Sequence, residues 1–207
     1  MKSGADVTRP EEVWDRYFPP SVRNLPTRDY LASATLPRPR DLIFLVKTAL
    51  EFAVNRGRGR ITEADILSAQ MQYSYFALNS VLAEATPRIP EIDDLLLEFA
   101  GRHEIVNGDE IKVAMRRADI SETRLAEVVD ILTEITFIGP EILPDRFEFI
   151  NDEDSLMKTR VMARKLSEES GHPTRYRINP VFHEFLEIAP ERVLAVGQLR
   201  MDISSEK

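Results

Sequence analysis

Cysteine is absent from the 207 residues, which removes disulfide frameworks, thiolate nucleophiles and thiolate zinc sites from consideration. Histidine is scarce: His103, His172 and His183 lie far apart in sequence, a poor basis for a metal centre. No apolar run approaches the roughly 18 to 20 residues of a membrane helix. The N-terminus, MKSGADVTRPEEVWDRY, is too polar and acidic for a secretory signal. A cytoplasmic location without membrane contact is the expectation. There is also no G-x-x-x-x-G-K-[ST] loop and no apolar strand ending in an acidic pair to hold magnesium. Nor do the residues assemble a nucleophile, base and metal set, so no enzyme activity is expected of this chain alone.

Positive charge is limited as well. The formal charge is −8, with 12 basic against 14 acidic residues over 1–100 and 15 against 21 over 101–207. Such a field repels phosphate backbones at long range, so nucleic acid is a disfavoured partner. One stretch departs from this: between Pro37 and Arg60, the cations Arg38, Arg40, Lys47, Arg56, Arg58 and Arg60 face only Asp41 and Glu51.

What is present suffices for real cores, since 43% of the residues are hydrophobic. Residues 1–7 read as a disordered boundary segment. Thr8, Pro10 and Glu11 then announce a short helix running to about Phe18. Pro19-Pro20 stop it, and a second helix starts after Thr27, whose side chain is placed to cap Asp29 and Tyr30. LPRPRD forces an extended turn, because each residue before proline is pushed out of the helical region. From about Pro39 to Asn55, Leu42, Leu45, Val46, Ala49 and Ala53 share one helical face, and Gly57 supplies the stop. Thr62 and Asp65 form a capping box with Ile61 as staple, opening a long helix toward Ala85 on Ile66, Ala69, Tyr73, Phe76, Ala77 and Val81. Tyr73 and Tyr75 cannot share a face, so one belongs to the core and the other to the surface. Pro87 and Pro90 separate this helix from a stripe of Ile92, Leu95, Leu96 and Phe99.

Beyond Gly101 the rhythm shortens. Asn107 with Glu110 caps a helix burying Ile111, Ala114, Met115 and Ala118. After the tight link Asp119-Ile120-Ser121, another helix carries Leu125, Val128, Val129, Leu132 and Ile135. The period then changes to alternation: a strand at Phe137-Ile138, a reversal at Pro140, Pro144 and Asp145, and a strand at 146–150. A charged amphipathic helix over 152–169 follows. RYRINPVFHEFLEI then supplies a strand and a closing helix started by Asn179 and Pro180. Short helices followed by a strand hairpin form the skeleton of a winged helix.

TLPRPRDLIFLVKTALEFAVNRGRGRITEADILSAQ resembles the lid of the AAA+ and STAND class of P-loop ATPases. The order of WDRYFPPSV, LPRPRDLI, ITEADI, QYSY, FIGP and YRINPVFHEFL is similar to the C-terminal half of a bacterial P-loop ATPase family ending in a winged helix. The resemblance covers Trp14 to Ile188 and implies a mainly α chain: a helical AAA+-type lid over 8–100, a winged-helix domain with a small β-wing over 101–190, and a tail over 191–207. It further implies that Arg40 or Arg38 is a sensor-2 arginine reaching toward the γ-phosphate of ATP held with magnesium in another domain or chain. Arg40 matches better, standing directly before Asp-Leu-Ile. The work implied is regulatory, with the P-loop core as partner, a protein contact through the winged helix, and a homo-oligomer as a further option.

Blander readings stand beside these. Arg38 and Arg40 could simply bridge carboxylates on neighbouring helices. RGRGR reads first as a flexible solvated loop, with phosphate or partner contact by Arg56, Arg58 and Arg60 as the alternative. A winged helix also suggests a DNA-binding regulator, with Arg124 and Arg146 as the candidate contacts. The segment 119–136 argues against that, carrying Asp119, Glu122, Glu127, Asp130 and Glu134 against Arg124 alone. His183 reads as an ordinary packed or exposed histidine, and the acidic run 151–154 as a helix N-terminus.

Overall fold

The computed structural model describes residues 9–149 and 152–189. The expectations for residues 1–7, Thr8, Ile150, Asn151 and the tail lie outside them. The described residues are mainly helical, with small antiparallel sheets.

The first helix, α1 (Pro10–Tyr17), has proline in its first turn and stacks Trp14 on Phe18, with ring centroids 4.0 Å apart. A hairpin absent from the periodicity follows. Strands β1 (Ser21–Val22) and β2 (Leu25–Pro26) are joined by Arg23 and Asn24, both at positive φ, as a tight two-residue hairpin requires. Helix α2 (Thr27–Ser33) begins where expected, but Thr27 does not cap it. The Thr27 side chain is buried and donates to the Pro19 carbonyl, so it ties the helix start back to the preceding loop.

The long helices α3 (Pro39–Asn55) and α4 (Glu63–Ala85) form an antiparallel pair. Leu45, Ala49 and Ala53 of α3 are buried as the spacing predicts, whereas Leu42, at the edge of that arc, is exposed. On α4, Ile66, Ala69, Tyr73, Ala77 and Val81 are buried; Tyr75 is exposed. Phe76 is half-buried and stacks on Phe44 at 4.1 Å, closing one side of the pair. Gly57 ends the first of these helices with φ of +67°, a conformation that costs glycine little.

After α5 (Ile92–Leu97) come β3 (Ile105–Asn107) and α6 (Gly108–Arg117), whose cap is formed by Asn107 and Glu110. Asn107 Oδ1 accepts from the Asp109 and Glu110 amides, and Glu110 reaches back to the Asn107 amide at 2.8 Å. Ser121 opens a single 3-10 turn before α7 (Leu125–Glu134). Strand β4 (Ile138–Leu143) runs further than the composition suggests. Pro140 lies within it rather than in the reversal, paired opposite Tyr176, and the chain turns only at Pro144 and Asp145. The return strand β5 is confined to Arg146–Phe147, so Phe149 lies outside it. Gly139 explains the close approach there: a Cβ on it would lie 2.5 Å from the Glu148 carbonyl oxygen and 2.8 Å from the Phe149 ring.

Helix α8 (Glu153–Ser170), with Asp152 as its cap, packs across β4. Strand β6 (Arg175–Ile178) then enters the sheet between β3 and β4, giving the order β3-β6-β4-β5 with every pair antiparallel. Asn179 caps the 3-10 turn at Pro180–Phe182, which leads into α9 (His183–Leu186) against α4. The Phe185 amide donates to Ser74 of α4 at 3.1 Å. One hydrophobic core therefore runs from Val22 through α3 and α4 to Phe182 and Ile188.

Candidate functional site

Two polar clusters lie at opposite ends of the α3–α4 pair, each built from the basic stretch. At the head of α3, proline sets the first turn and Asp41 occupies the third helical position, where the positive end of the helix favours a carboxylate. Asp41 is fully buried. Its Oδ1 accepts from the Tyr73 hydroxyl at 3.1 Å, and that hydroxyl in turn accepts from the Leu36 amide at 2.8 Å. Tyr73 therefore ties LPRPRD to the middle of α4. Burial, the largest influence, pushes its phenol pKa well above the ordinary range. Among the described residues Asp41 Oδ2 has no hydrogen-bond partner, and it faces Arg40 Nε at 3.5 Å.

The two arginines of the motif meet the far end of α4. Arg38 forms a two-pronged pair with Glu84, Nη2 donating to Oε2 at 2.8 Å. Arg40 donates to the Ser80 hydroxyl at 2.6 Å and touches Glu84 only at 3.4 Å. The difference in commitment is reflected in exposure: the Arg38 side chain is 21% exposed and that of Arg40 57%. Planar guanidinium geometry accounts for the two-pronged grip of Arg38 on Glu84, whereas the Arg40 side chain stays more than half exposed. Glu84 and Ser80 were not singled out from the sequence, because they lie forty or more residues from the arginines they hold.

At the other end the RGRGR segment is not a free loop. Asp65, fully buried, receives Arg56 Nη1 at 2.6 Å and Arg58 Nη1 at 2.9 Å on both oxygens. The Thr62 hydroxyl and amide donate to it at 2.6 and 3.0 Å. Burial opposes the charged form most strongly, but the hydrogen bonds from Thr62, Arg56 and Arg58 outweigh it and bring the Asp65 pKa down to about 2. The carboxylate that caps α4 thus also anchors the loop before it. Arg60 stands apart, donating to the Phe18 carbonyl at 3.0 Å.

The remaining candidates lie in the C-terminal part. Arg124 pairs with Glu127 at 2.9 and 3.0 Å, and Arg146 with Glu148 at 3.8 Å. The acidic face of α7 is met by arginines from elsewhere in the chain. Arg160 of α8 reaches both Asp130 and Glu134 at 3.2 Å, and Arg88 also bonds Glu134. Near β4, Arg175 clamps Glu141 and Asp145. Hydrogen bonding to Arg175 holds the Glu141 carboxyl below its usual range. His183 Nε2 lies 2.9 Å from the Ile178 carbonyl, and burial pushes its pKa down, as suits a packed histidine. Among the described residues, no helix is long and apolar enough to cross a membrane.

No curated protein and no solved structure matches the chain. Over residues 1–82, from the N-terminus into α4, the chain is similar to a family described as the FunZ-associated C-terminal helical domain.

Proposed function

We propose that this chain is the non-catalytic C-terminal regulatory module of a P-loop ATPase, with the ATP-binding core in another domain or chain. The α3–α4 part acts as the lid over the bound nucleotide, and Arg40 is the arginine that senses it. The observation that carries this reading is the contrast at the head of α3. Arg38 is spent on Glu84, while Arg40, two residues on, keeps more than half of its side chain in solvent at the positive end of a 17-residue helix. A sensor must be held in place yet free to reach an anion, and Arg40 meets both conditions. The description of the matching family, a C-terminal helical domain associated with FunZ, agrees with a module that works beside another domain.

The C-terminal part has the order helix, strand, two helices, then strands, with the last strand seated between the first and second. This supports a winged helix in which α7 is the second helix of the pair and α8 is inserted in the wing. Its role in the proposal is protein contact. The carboxylates on α7 are answered by Arg88, Arg124 and Arg160 of the same chain, which leaves a mixed polar surface rather than the basic one that a DNA groove attracts.

The test is hydrolysis by the intact ATPase. Arg40→Ala lowers turnover by roughly tenfold or more, on the scale of arginines that meet a transferring phosphoryl group, while the isolated chain keeps its circular dichroism spectrum. Unchanged turnover removes the sensor role. Tight, strongly salt-sensitive binding of duplex DNA by the purified chain would instead favour the transcriptional regulator.

A further inference from the structure

Helix α3 has apolar residues on both sides, although only one side faces the core. Leu45, Ala49 and Ala53 are buried against α4, while Ile43, Leu50 and Val54 on the opposite side are 65%, 49% and 63% exposed. A helix hydrophobic all round is normally covered all round. With the intervening Lys47 these residues recur at offsets of 3 or 4, forming a continuous stripe diametrically opposite the core.

We infer that this face pairs with a second copy of the same chain, α3 against α3 and antiparallel about a two-fold axis. Two observations select a second copy over an unrelated partner. The first is charge. The stripe carries at its middle one cation and one anion a single turn apart, Lys47 and Glu51, 72% and 58% exposed and only 3.8 Å from each other. An axis passing between them sets Lys47 of each copy opposite Glu51 of the other. It also brings the two Leu50 side chains together at the centre and Ile43 alongside Val54. A pattern that satisfies its own mirror partner in this way is what an isologous contact demands.

The second is size. Ile43, Leu50 and Val54 are between 49% and 65% exposed, and with the stems of Lys47 and Glu51 beside them the face stays below the ~800 Å² per partner of a standard stable interface, which fits a weak, concentration-dependent self-association. This inference does not depend on the nucleotide-sensing reading, since Arg40 lies at the end of the stripe and outside its centre.

The experiment is sedimentation equilibrium on the full chain over a range of concentrations. A concentration-dependent dimer is expected; a monomer at every concentration overturns the inference. Leu50→Glu is expected to weaken association at least tenfold with an unchanged circular dichroism spectrum, and a dimer indifferent to it also overturns the proposal. Charge reversal gives a second arm independent of Leu50. Lys47→Glu and Glu51→Lys chains each repel their own kind yet form a mixed dimer when combined. A mixture that associates no better than either variant alone counts against the pairing.

Discussion

The Tyr73 hydroxyl donates to the buried Asp41 carboxylate at 3.1 Å while accepting from the Leu36 amide. That single oxygen holds the PRPRD turn to the centre of α4 and so sets the position of both motif arginines. Tyr73→Phe keeps the ring and deletes the oxygen, leaving a buried amide and a buried carboxylate oxygen each short of a partner. The expected loss is about 1–3 kcal/mol of unfolding free energy in urea titrations. A change within about 0.5 kcal/mol would show that water or a local shift replaces the hydroxyl.

Arg38 and Arg40 should separate in the isolated chain. Arg38→Ala removes a two-pronged pair with Glu84 and is expected to cost about 0.5–1 kcal/mol, whereas Arg40→Lys, which keeps a cation beside the buried Asp41, stays within about 0.5 kcal/mol. Melting curves of the two variants decide this, and equal losses would mean that Arg40 is as structural as its neighbour.

Asp65→Asn strips the negative charge from the meeting point of Arg56, Arg58 and Thr62. Two guanidinium groups are then left without their shared carboxylate, and a loss of about 1–3 kcal/mol is expected, below the ~3–5 kcal/mol of a fully buried pair because both arginines are 40% exposed. Faster amide exchange across residues 56–62 should accompany it, since the loop loses its anchor.

The same carboxylate makes stability depend on acid. Its pKa falls from an ordinary 3.8 to about 2 on folding, so its contribution is complete above about pH 4 and disappears as the pH drops through about 2. The wild-type chain should lose on the order of 1–2 kcal/mol from this group over that window. Asp65→Asn should show a correspondingly flatter acid limb when urea midpoints are compared at several pH values.

Gly139→Ala places a methyl group against the Glu148 carbonyl and the Phe149 ring, where backbone as well as side chain has to move. The expected cost is about 1–3 kcal/mol, read from thermal unfolding. A variant as stable as the parent would mean that the segment after β5 is free to swing away.

Local rules made much of this architecture legible. The reach-back of Glu110 to Asn107 and of Asp65 to Thr62 spans only three residues, so each is written in the chain where it acts. The stripes of α3, α4, α6 and α7 likewise follow from spacing alone. Misreadings arose where distant segments decide. Thr27 has the chemistry of a cap, but a nearby carbonyl competes for its hydroxyl, and only the folded loop reveals that. Pro140 has the chemistry of a turn, yet its position permits a strand because a neighbouring strand needs no amide from it there.

The amino-acid order by itself determined a mainly helical chain without a phosphate-binding loop, the start and stop of most helices, and a concentration of arginines around α3. Only the tertiary structure decided what those arginines do, because Arg38 and Arg40 find Glu84 and Ser80 forty or more residues away, while Arg56 and Arg58 close on Asp65 across a loop. Side-chain periodicity reports which face is apolar. It cannot report which of two apolar faces finds a partner, and on α3 packing against α4 settled one and left Ile43, Leu50 and Val54 in solvent.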